Sequence, residues 1–358
     1  MQNKRIKLLS GDLDLPAFFP DGTYGVVKSV NSKDLENLHI AGMVTNTFHL
    51  INKLGMNNIK NIGGIHKLIN FNRPMISDSG GFQVFSMIRE NKKNGEIRDN
   101  EIIFRNEDGS KLILTPEKCI QMQFALGTDI IMCLDYCTHP DDSYEINEKS
   151  VETTIKWAKR CKDEYNKQLK LRKYTKDKRP LIFGIIQGGN YKDLRKKCAD
   201  ELIKLDFDGF GFGGWPLDKE NNLIDDILAY TAELMPKGTI KYAMGLGKPE
   251  EIVRCVKMGY NLFDCVIPTR EARHNRLYVF NENKTIYEDF YSYIRILDKK
   301  YVNDLLPIDK SCDCECCKNY TKAYMHHLFK IGDSQADRLA TIHNLSFYTK
   351  LMEKIRNE

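Results

Sequence analysis

Short apolar runs, each ending in a polar residue or a glycine turn, alternate along the chain with longer amphipathic segments rich in charge. Seven runs stand out: Met43-Val44-Thr45, Pro74-Met75-Ile76, Ile130 to Leu134, Leu181 to Ile186, Gly209 to Phe212, Tyr242-Ala243-Met244 and Leu262-Phe263. They are continuously apolar, as strands buried on both faces of a parallel sheet are. The segments between them read as helices. Glu148 to Leu169 has Val151, Ile155, Trp157 and Ala158 as its apolar residues, and Tyr191 to Leu205 carries Leu194, Cys198, Leu202 and Leu205 at helical spacing. Strand and helix alternating over about 250 residues predict an α/β fold, a TIM (β/α)8 barrel. A doubly wound open sheet is the rival, and no Gly-x-Gly-x-x-Gly phosphate loop decides between the two.

Two stretches break the alternation. Arg89 to Phe104 is polar and reads as a loop or a small hairpin insertion. Gln168 to Arg179 is strongly basic; a solvated helix end and loop is the plainer reading, an RNA contact the sharper one. After Leu306 the pattern changes to a cysteine cluster and a long helical tail.

Polar residues at the C-terminal ends of barrel strands point into an active site. Here those positions hold Asp78, Asp135, Gln187, Gly214 and Asp264. Any one aspartate could be a helix N-cap. Asp78 fits capping poorly, because Gly80-Gly81 breaks the backbone where a helix should begin. Paired glycines suit a close backbone approach to a flat ligand, and Phe82 then offers a ring to stack on it, or else packs in the core. Paired carboxylates in a barrel point to glycosidic-bond chemistry, one attacking an anomeric carbon and the other handling protons. Asp135, Gln187 and the Gly213-Gly214 backbone would present donors and acceptors to a planar base.

Of the eleven cysteines, Cys119, Cys133, Cys198 and Cys255 sit singly in apolar runs and read as small buried hydrophobes. The run Cys312-Asp313-Cys314-Glu315-Cys316-Cys317 is different. Its Cys-x-Cys-x-x-Cys spacing, with His343 on a later helix, fits a closed tetrahedral zinc site of the structural kind. Cys316 is left spare, and His326-His327 compete as ligands. The expected organisation is a catalytic barrel over residues 1–305 and a zinc-binding helical subdomain over 306–358 packed on it. No eighteen-residue apolar stretch predicts a membrane span, and Met1-Gln2-Asn3-Lys4-Arg5 has no apolar segment after it to make a signal peptide. A cytoplasmic protein is expected. The net charge of +5 permits a polyanionic partner without demanding one.

Ser77-Asp78-Ser79-Gly80-Gly81-Phe82-Gln83-Val84-Phe85-Ser86, Phe263-Asp264-Cys265-Val266-Ile267-Pro268-Thr269-Arg270 and the Cys3His cluster together resemble the tRNA-guanine transglycosylase family. Asn46-Thr47-Phe48-His49-Leu50, Gly184 to Gly189 and Met244 to Pro249 extend the resemblance, which runs from about Pro16 to the C-terminus in the family's order. It implies a compact bacterial-type enzyme that exchanges the wobble guanine of tRNAs with a GUN anticodon for a 7-deazaguanine base, without ATP. By resemblance, Asp264 is the nucleophile of a covalent aspartyl-ribose intermediate and Asp78 the general acid/base. Ser79, Gly80, Gly81, Asp135, Gln187 and Gly214 would surround the base, with Phe82 and Met244 against its faces. Gly245, Lys248, Thr269, Arg270 and Arg273 would hold the anticodon loop. Cys312, Cys314, Cys317 and His343 would bind one structural zinc ion, and a homodimer is implied.

The chain departs from the family pattern in three places. Asp135-Tyr136-Cys137 stands for the usual Asp-Glu-Cys, Trp215-Pro216-Leu217-Asp218-Lys219 for Leu-Ala-Val-Gly-Glu, and Thr269 to Asn275 keeps both arginines of its motif but not its asparagines. Pro216 lacks a backbone N–H that could face the base substituent. The expected incoming base is the small aminomethyl-7-deazaguanine, with queuine the alternative. Rival readings are a non-catalytic partner subunit, a DNA-modifying relative and a glycosidase acting on free sugars. Asp78 and Asp264 argue against the first, Thr269 to Arg273 against the second, and the metal cluster with the paired arginines against the third.

Overall fold

A computed structural model describes residues 4–105 and 109–358. Its centre is one parallel sheet of eight strands: β1 (Ala17–Pro20), β2 (Met43–Thr45), β3 (Met75–Ser77), β4 (Ile130–Met132), β5 (Leu181–Ile186), β6 (Gly209–Phe212), β7 (Ile240–Ala243) and β8 (Leu262–Cys265). Strands neighbour in chain order from β2 to β8, and β1 pairs with β8 in the register Leu262–Ala17 to Cys265–Pro20. A parallel bridge between Asp21 and Val44, with Gly22 N–H donating to the Val44 carbonyl at 2.7 Å, brings β1 against β2 and nearly closes the ring. The arrangement is the expected TIM-like barrel, and the open-sheet rival falls.

Alternate residues of these strands fill the barrel. Phe19, Val44, Ile76, Met132, Phe183, Ile185 and Tyr242 form one buried cluster. Leu8, Leu13 and Leu15 join it from an N-terminal hairpin, Lys4–Leu8 with Gly11–Leu15, which covers the end opposite the strand C-termini. A larger apolar shell separates barrel from helices and includes Trp157, Cys161, Leu194, Cys198 and Leu202. Cys119, Cys133, Cys198 and Cys255 are all buried, as their apolar settings predict.

β1 is the strand the sequence pattern does not reveal; it is four residues long, preceded by Pro16 and ending in Pro20. The β4 ladder stops at Met132 rather than Leu134, and β8 runs on through Asp264 and Cys265. The helix expected from Glu148 begins at Tyr144, where the Ser143 side chain caps its first turn, and ends at Leu171. The polar insertion is larger than a hairpin: Gly95–Ile97, Ile102–Arg105 and Lys111–Leu114 make a three-stranded antiparallel sheet. A helix does begin beside Asp78, at Gly81, so Gly80-Gly81 starts one rather than preventing it. In the basic segment, Arg179 makes two 2.7 Å bonds to Asp208, a structural pair.

The last helix, Ser334–Asn357, lies against the Ile267–Arg273 helix, the hairpin Arg276–Phe280/Tyr291–Arg295 and β1. Asn344 ties three segments together: its Oδ1 accepts from Tyr278 N–H, and its Nδ2 donates to the carbonyls of Pro268 and Arg276. Arg356 donates to the Pro16 carbonyl at 2.8 Å, joining the end of the chain to the first barrel strand. Among the described residues, no helix is long and apolar enough to cross a membrane.

Candidate active site

Asp78 follows β3 and faces the start of the Thr47–Leu54 helix. Its Oδ1 accepts from the Thr47 and Gly80 N–H groups at 3.0 Å each, and its Oδ2 accepts from Asn46 Nδ2 at 2.7 Å. The Thr47 hydroxyl donates to the Asp78 carbonyl. Those donors favour the carboxylate, but burial disfavours it more, helped by the nearby charges of Asp21 and Asp264. The Asp78 carboxyl is pushed up to about 7.

Asp264 is the third residue of β8. Its Oδ1 accepts from the Tyr242 hydroxyl and from Gly245 N–H, both at 2.7 Å. Among the described residues no protein group bonds its Oδ2. The residue is half-buried with Oδ2 left open, and desolvation pushes the carboxyl up to about 6 against the pull of its two donors. Two carboxylates with raised proton affinity therefore stand near one another at the C-terminal end of the barrel.

Across the bowl, buried Asp135 accepts from Gln187 Nε2 at 2.6 Å, and burial pushes its carboxyl up to about 6. The Gln187 Oε1 is buried and has no hydrogen-bond partner. A buried, unpaired acceptor is costly and awaits a donor. Burial holds the Cys137 thiol protonated, while the Gln187 amide and the Gly214 N–H are directed at it. Gly214 has φ +95°, a conformation that side-chain-bearing residues rarely adopt.

Packing within the protein also requires the paired glycines. A Cβ on Gly80 would sit 2.8 Å from Phe48 Cβ, and one on Gly81 2.8 Å from Leu134 Cδ1. They admit the protein's own side chains. Phe82 is 43% exposed with its ring 5.8 Å from that of Trp215, which excludes the core-packing reading. Met244 is half-buried, its side chain over Gly211.

The segments implied to meet RNA lie unequally open. Gly245 and Arg270 are exposed; Lys248 is paired with Glu251 at 2.9 Å; Arg273 is half-buried. Thr269 is buried, its hydroxyl donating to the Val266 carbonyl. At the altered positions, the Tyr136 ring turns toward Phe85, 6.0 Å away, so it packs beside the bowl. The Pro216 carbonyl accepts from Ile224 N–H, and Leu217 pairs with Leu223, making a short turned loop. Lys219 binds Asp141 at 2.5 Å and ties that loop to the segment after β4.

Tyr242, Asn46, Thr47 and Asp21 belong to this centre and were not singled out as site residues from the sequence. In the sequence Tyr242 reads as strand filling, and its hydroxyl is the one signal of another role. Asp21 follows the strand that the pattern concealed.

About the last helix, Cys312, Cys314, Cys317 and His343 bring their donor atoms within 4.8 Å of one another, a set that could hold a metal ion. His343 Nε2 lies 2.7 Å from the Tyr278 carbonyl, which fixes the proton there and leaves Nδ1 facing the thiols, 3.2 Å from Cys317 Sγ. Three sulfurs and one imidazole at these separations fit a tetrahedral ion. Cys316 lies outside the set, as do His326 and His327.

Residues 3–358 match the family model described as queuine tRNA-ribosyltransferase. The chain is 40% identical over 348 residues to a queuine tRNA-ribosyltransferase of Psychrobacter sp., covering 97% of this chain and 86% of that protein. It is 40% identical over 358 residues to one of Thermoanaerobacter sp., covering 99% and 89%. It is 39% identical over 354 residues to one of Acinetobacter baylyi, covering 99% and 86%.

Proposed function

From the premise that the chain belongs to the queuine tRNA-ribosyltransferase family, we propose that Asp264 and Asp78 exchange a base in tRNA by two successive displacements at one ribose carbon. The protein is a tRNA-guanine transglycosylase, a pentosyltransferase. In the first step Asp264 Oδ2 bonds to C1′ of the wobble guanosine as the C1′–N9 bond breaks. The bonding pair leaves with guanine, and Asp78 supplies the proton it needs. In the second, N9 of the incoming base passes its proton to Asp78 and attacks C1′, expelling the Asp264 carboxylate. Two inversions retain the sugar's configuration, and no net bond energy has to be supplied.

One observation carries this reading. Tyr242 and Gly245 occupy one oxygen of Asp264 and leave the other open, beside an aspartate whose proton affinity is raised to about 7. Asp135, Gln187 and Gly214 then read the base edge, the orphaned Gln187 oxygen receiving a donor from it. Phe82 and Met244 cover its faces. Gly245, Lys248, Arg270 and Arg273 hold the anticodon loop, with Thr269 supporting that segment from inside.

The incoming base is assigned as aminomethyl-7-deazaguanine in preference to queuine. Leu217 is bulky where a larger substituent would need space. Pro216 offers no N–H there, so a substituent that itself donates, to the Trp215 carbonyl, is favoured. Residues 306–358 are assigned to a subdomain held by one structural zinc ion on the barrel of residues 1–305, in a cytoplasmic homodimer.

Mass spectrometry of a tRNA with a guanine wobble base, and of a DNA carrying the same loop, tests the reaction after incubation with each base. We expect exchange in tRNA and a denaturation-resistant enzyme–tRNA adduct that is absent from Asp264→Asn. An adduct in that variant would refute the nucleophile, and a higher kcat/KM for queuine would refute the base.

A further inference from the structure

Arg195 is 1% exposed and stands on the Lys192–Ile203 helix, outside every role assigned above. A buried guanidinium is expensive unless its donors are met and its charge is balanced. The charge is not balanced: no carboxylate is among the groups that act on it, which are Tyr260, Cys198 and Cys137. Burial lowers its proton affinity to about 10, so it remains a cation at neutral pH. Its donors are met by backbone alone. Nη1 donates to the Ile186 carbonyl at 2.8 Å, Nε to that of Gly189 at 2.9 Å and Nη2 to that of Gly213 at 2.9 Å. Its Cζ lies 4.0 Å from the centre of the Phe212 ring, at the end of β6.

The three carbonyls are the one immediately before Gln187, the one two residues after it and the one immediately before Gly214. A trans peptide is planar, with its C=O and N–H opposed. Once Arg195 holds the Gly213 oxygen, the Gly214 N–H must point the other way, toward the Cys137 thiol that lies beside Gln187 and Asp135. The approach is close enough that a Cβ on Gly188 would meet the Arg195 backbone nitrogen at 2.6 Å.

We propose that Arg195 is a positioning residue for base recognition, a buried cation that locks the Gln187 and Gly214 segments together and aims the Gly214 N–H at the base. The reading rests on the base-edge role given above to Gly214. The matching acceptor on guanine is its 6-oxo group, which gains negative charge as the glycosidic bond breaks. A cation bonded to the opposite end of the same peptide polarises that N–H toward it.

The test compares free-base binding of guanine with that of 2-aminopurine, which lacks the 6-oxo group and reports by fluorescence. Arg195→Gln should weaken guanine by at least about tenfold, as expected for one misdirected hydrogen bond in a buried site. 2-Aminopurine should change less than about threefold, since it does not use the bond. Arg195→Lys keeps the charge but cannot bridge three carbonyls, so its guanine affinity should fall between those of wild type and Arg195→Gln. Should Arg195→Gln not accumulate as folded protein, the lysine variant carries the same comparison. An equal loss for both bases would make the residue merely structural and overturn the proposal, as would unchanged guanine affinity. Wild-type exchange into tRNA, measured alongside, tests the parent reading separately and can succeed where this fails.

Discussion

Asp264 is held in a place that suits its chemistry better than its stability. Burial raises its proton affinity to about 6 from an unfolded value near 4. The fold thus binds that proton more tightly than the unfolded chain does. This contribution to stability is fully present below about pH 4 and lost as the pH rises through about 6. An asparagine at 264 carries no charge, and its oxygen can keep the bonds from Tyr242 and Gly245. Asp264→Asn should therefore be inactive yet more stable than wild type at pH 8, by up to about 3 kcal/mol. The gain should vanish toward pH 4, which thermal melts across that range will read. Adduct formation has its own profile. It needs Asp264 ionised and Asp78 protonated, so its rate should fall below about pH 6 and above about pH 7. A rate that keeps rising to pH 9 would remove Asp78 from the proton's path. At this scale, Asp78, Asp135, Gln187 and Asp264 were legible because a carboxylate or amide ending an apolar run has few structural uses. Tyr242 and Arg195 were not. A tyrosine in a strand looks like apolar filling, and an arginine on an amphipathic helix looks solvated until the fold buries it.

Among the elements, the last helix carries the most connections. It brings His343 to the three cysteines, Asn344 to the hairpin and Tyr348 to the Gly247 carbonyl. Under the proposed zinc assignment, replacing Cys314 or Cys317 with alanine should lower bound zinc and melting temperature together, since a structural ion couples metal binding to docking of the helix that carries His343. Full zinc occupancy in either variant, by elemental analysis, would place the ion elsewhere. Helix periodicity was strong enough to read most of this architecture, and the four residues of the Cys3His pattern do lie together, with donor atoms within 4.8 Å of one another. The errors fell where tertiary contacts replace local pattern. β1 is short and bounded by prolines, and it becomes a strand because β8 supplies its partner. The helix at Gly81 begins on glycines because Phe48 and Leu134 leave no room for a Cβ.

For the molecule as a whole, the formal charge of +5 is a small excess, so tRNA binding depends on where cations are free. Arg270 is exposed, whereas Lys248 is already paired. Arg270→Ala should raise the KM for tRNA several-fold without changing that for the base. It should also flatten the dependence of log KM on log salt, by about 0.7 for each phosphate that the arginine neutralises. An unchanged salt slope would move the RNA-binding surface away from the Ile267–Arg273 helix. Leu305 is 77% exposed beside the first turn of the Lys322–Ile331 helix, where Leu306 and Asp304 carbonyls accept from Lys322 and Ala323 N–H. That apolar edge is open to the proposed homodimer, and sedimentation at micromolar concentration tests it: a Leu305→Asp chain should run as a monomer where the wild type does not.

The seam between β1 and β8 has a consequence for how the protein is made. Its two strands lie far apart in the chain, Ala17 pairing with Leu262, and the helix that covers β1 follows both. During synthesis the first barrel strand emerges early but has no β8 to pair with until most of the polypeptide has left the ribosome. Its covering helix comes later still. For that interval Phe18 and Phe19 lack their native burial, and ring closure must await a pairing of very high sequence separation. Nascent chains arrested before residue 334 should therefore remain sensitive to protease at Phe18 and Phe19, and released full-length chains should not.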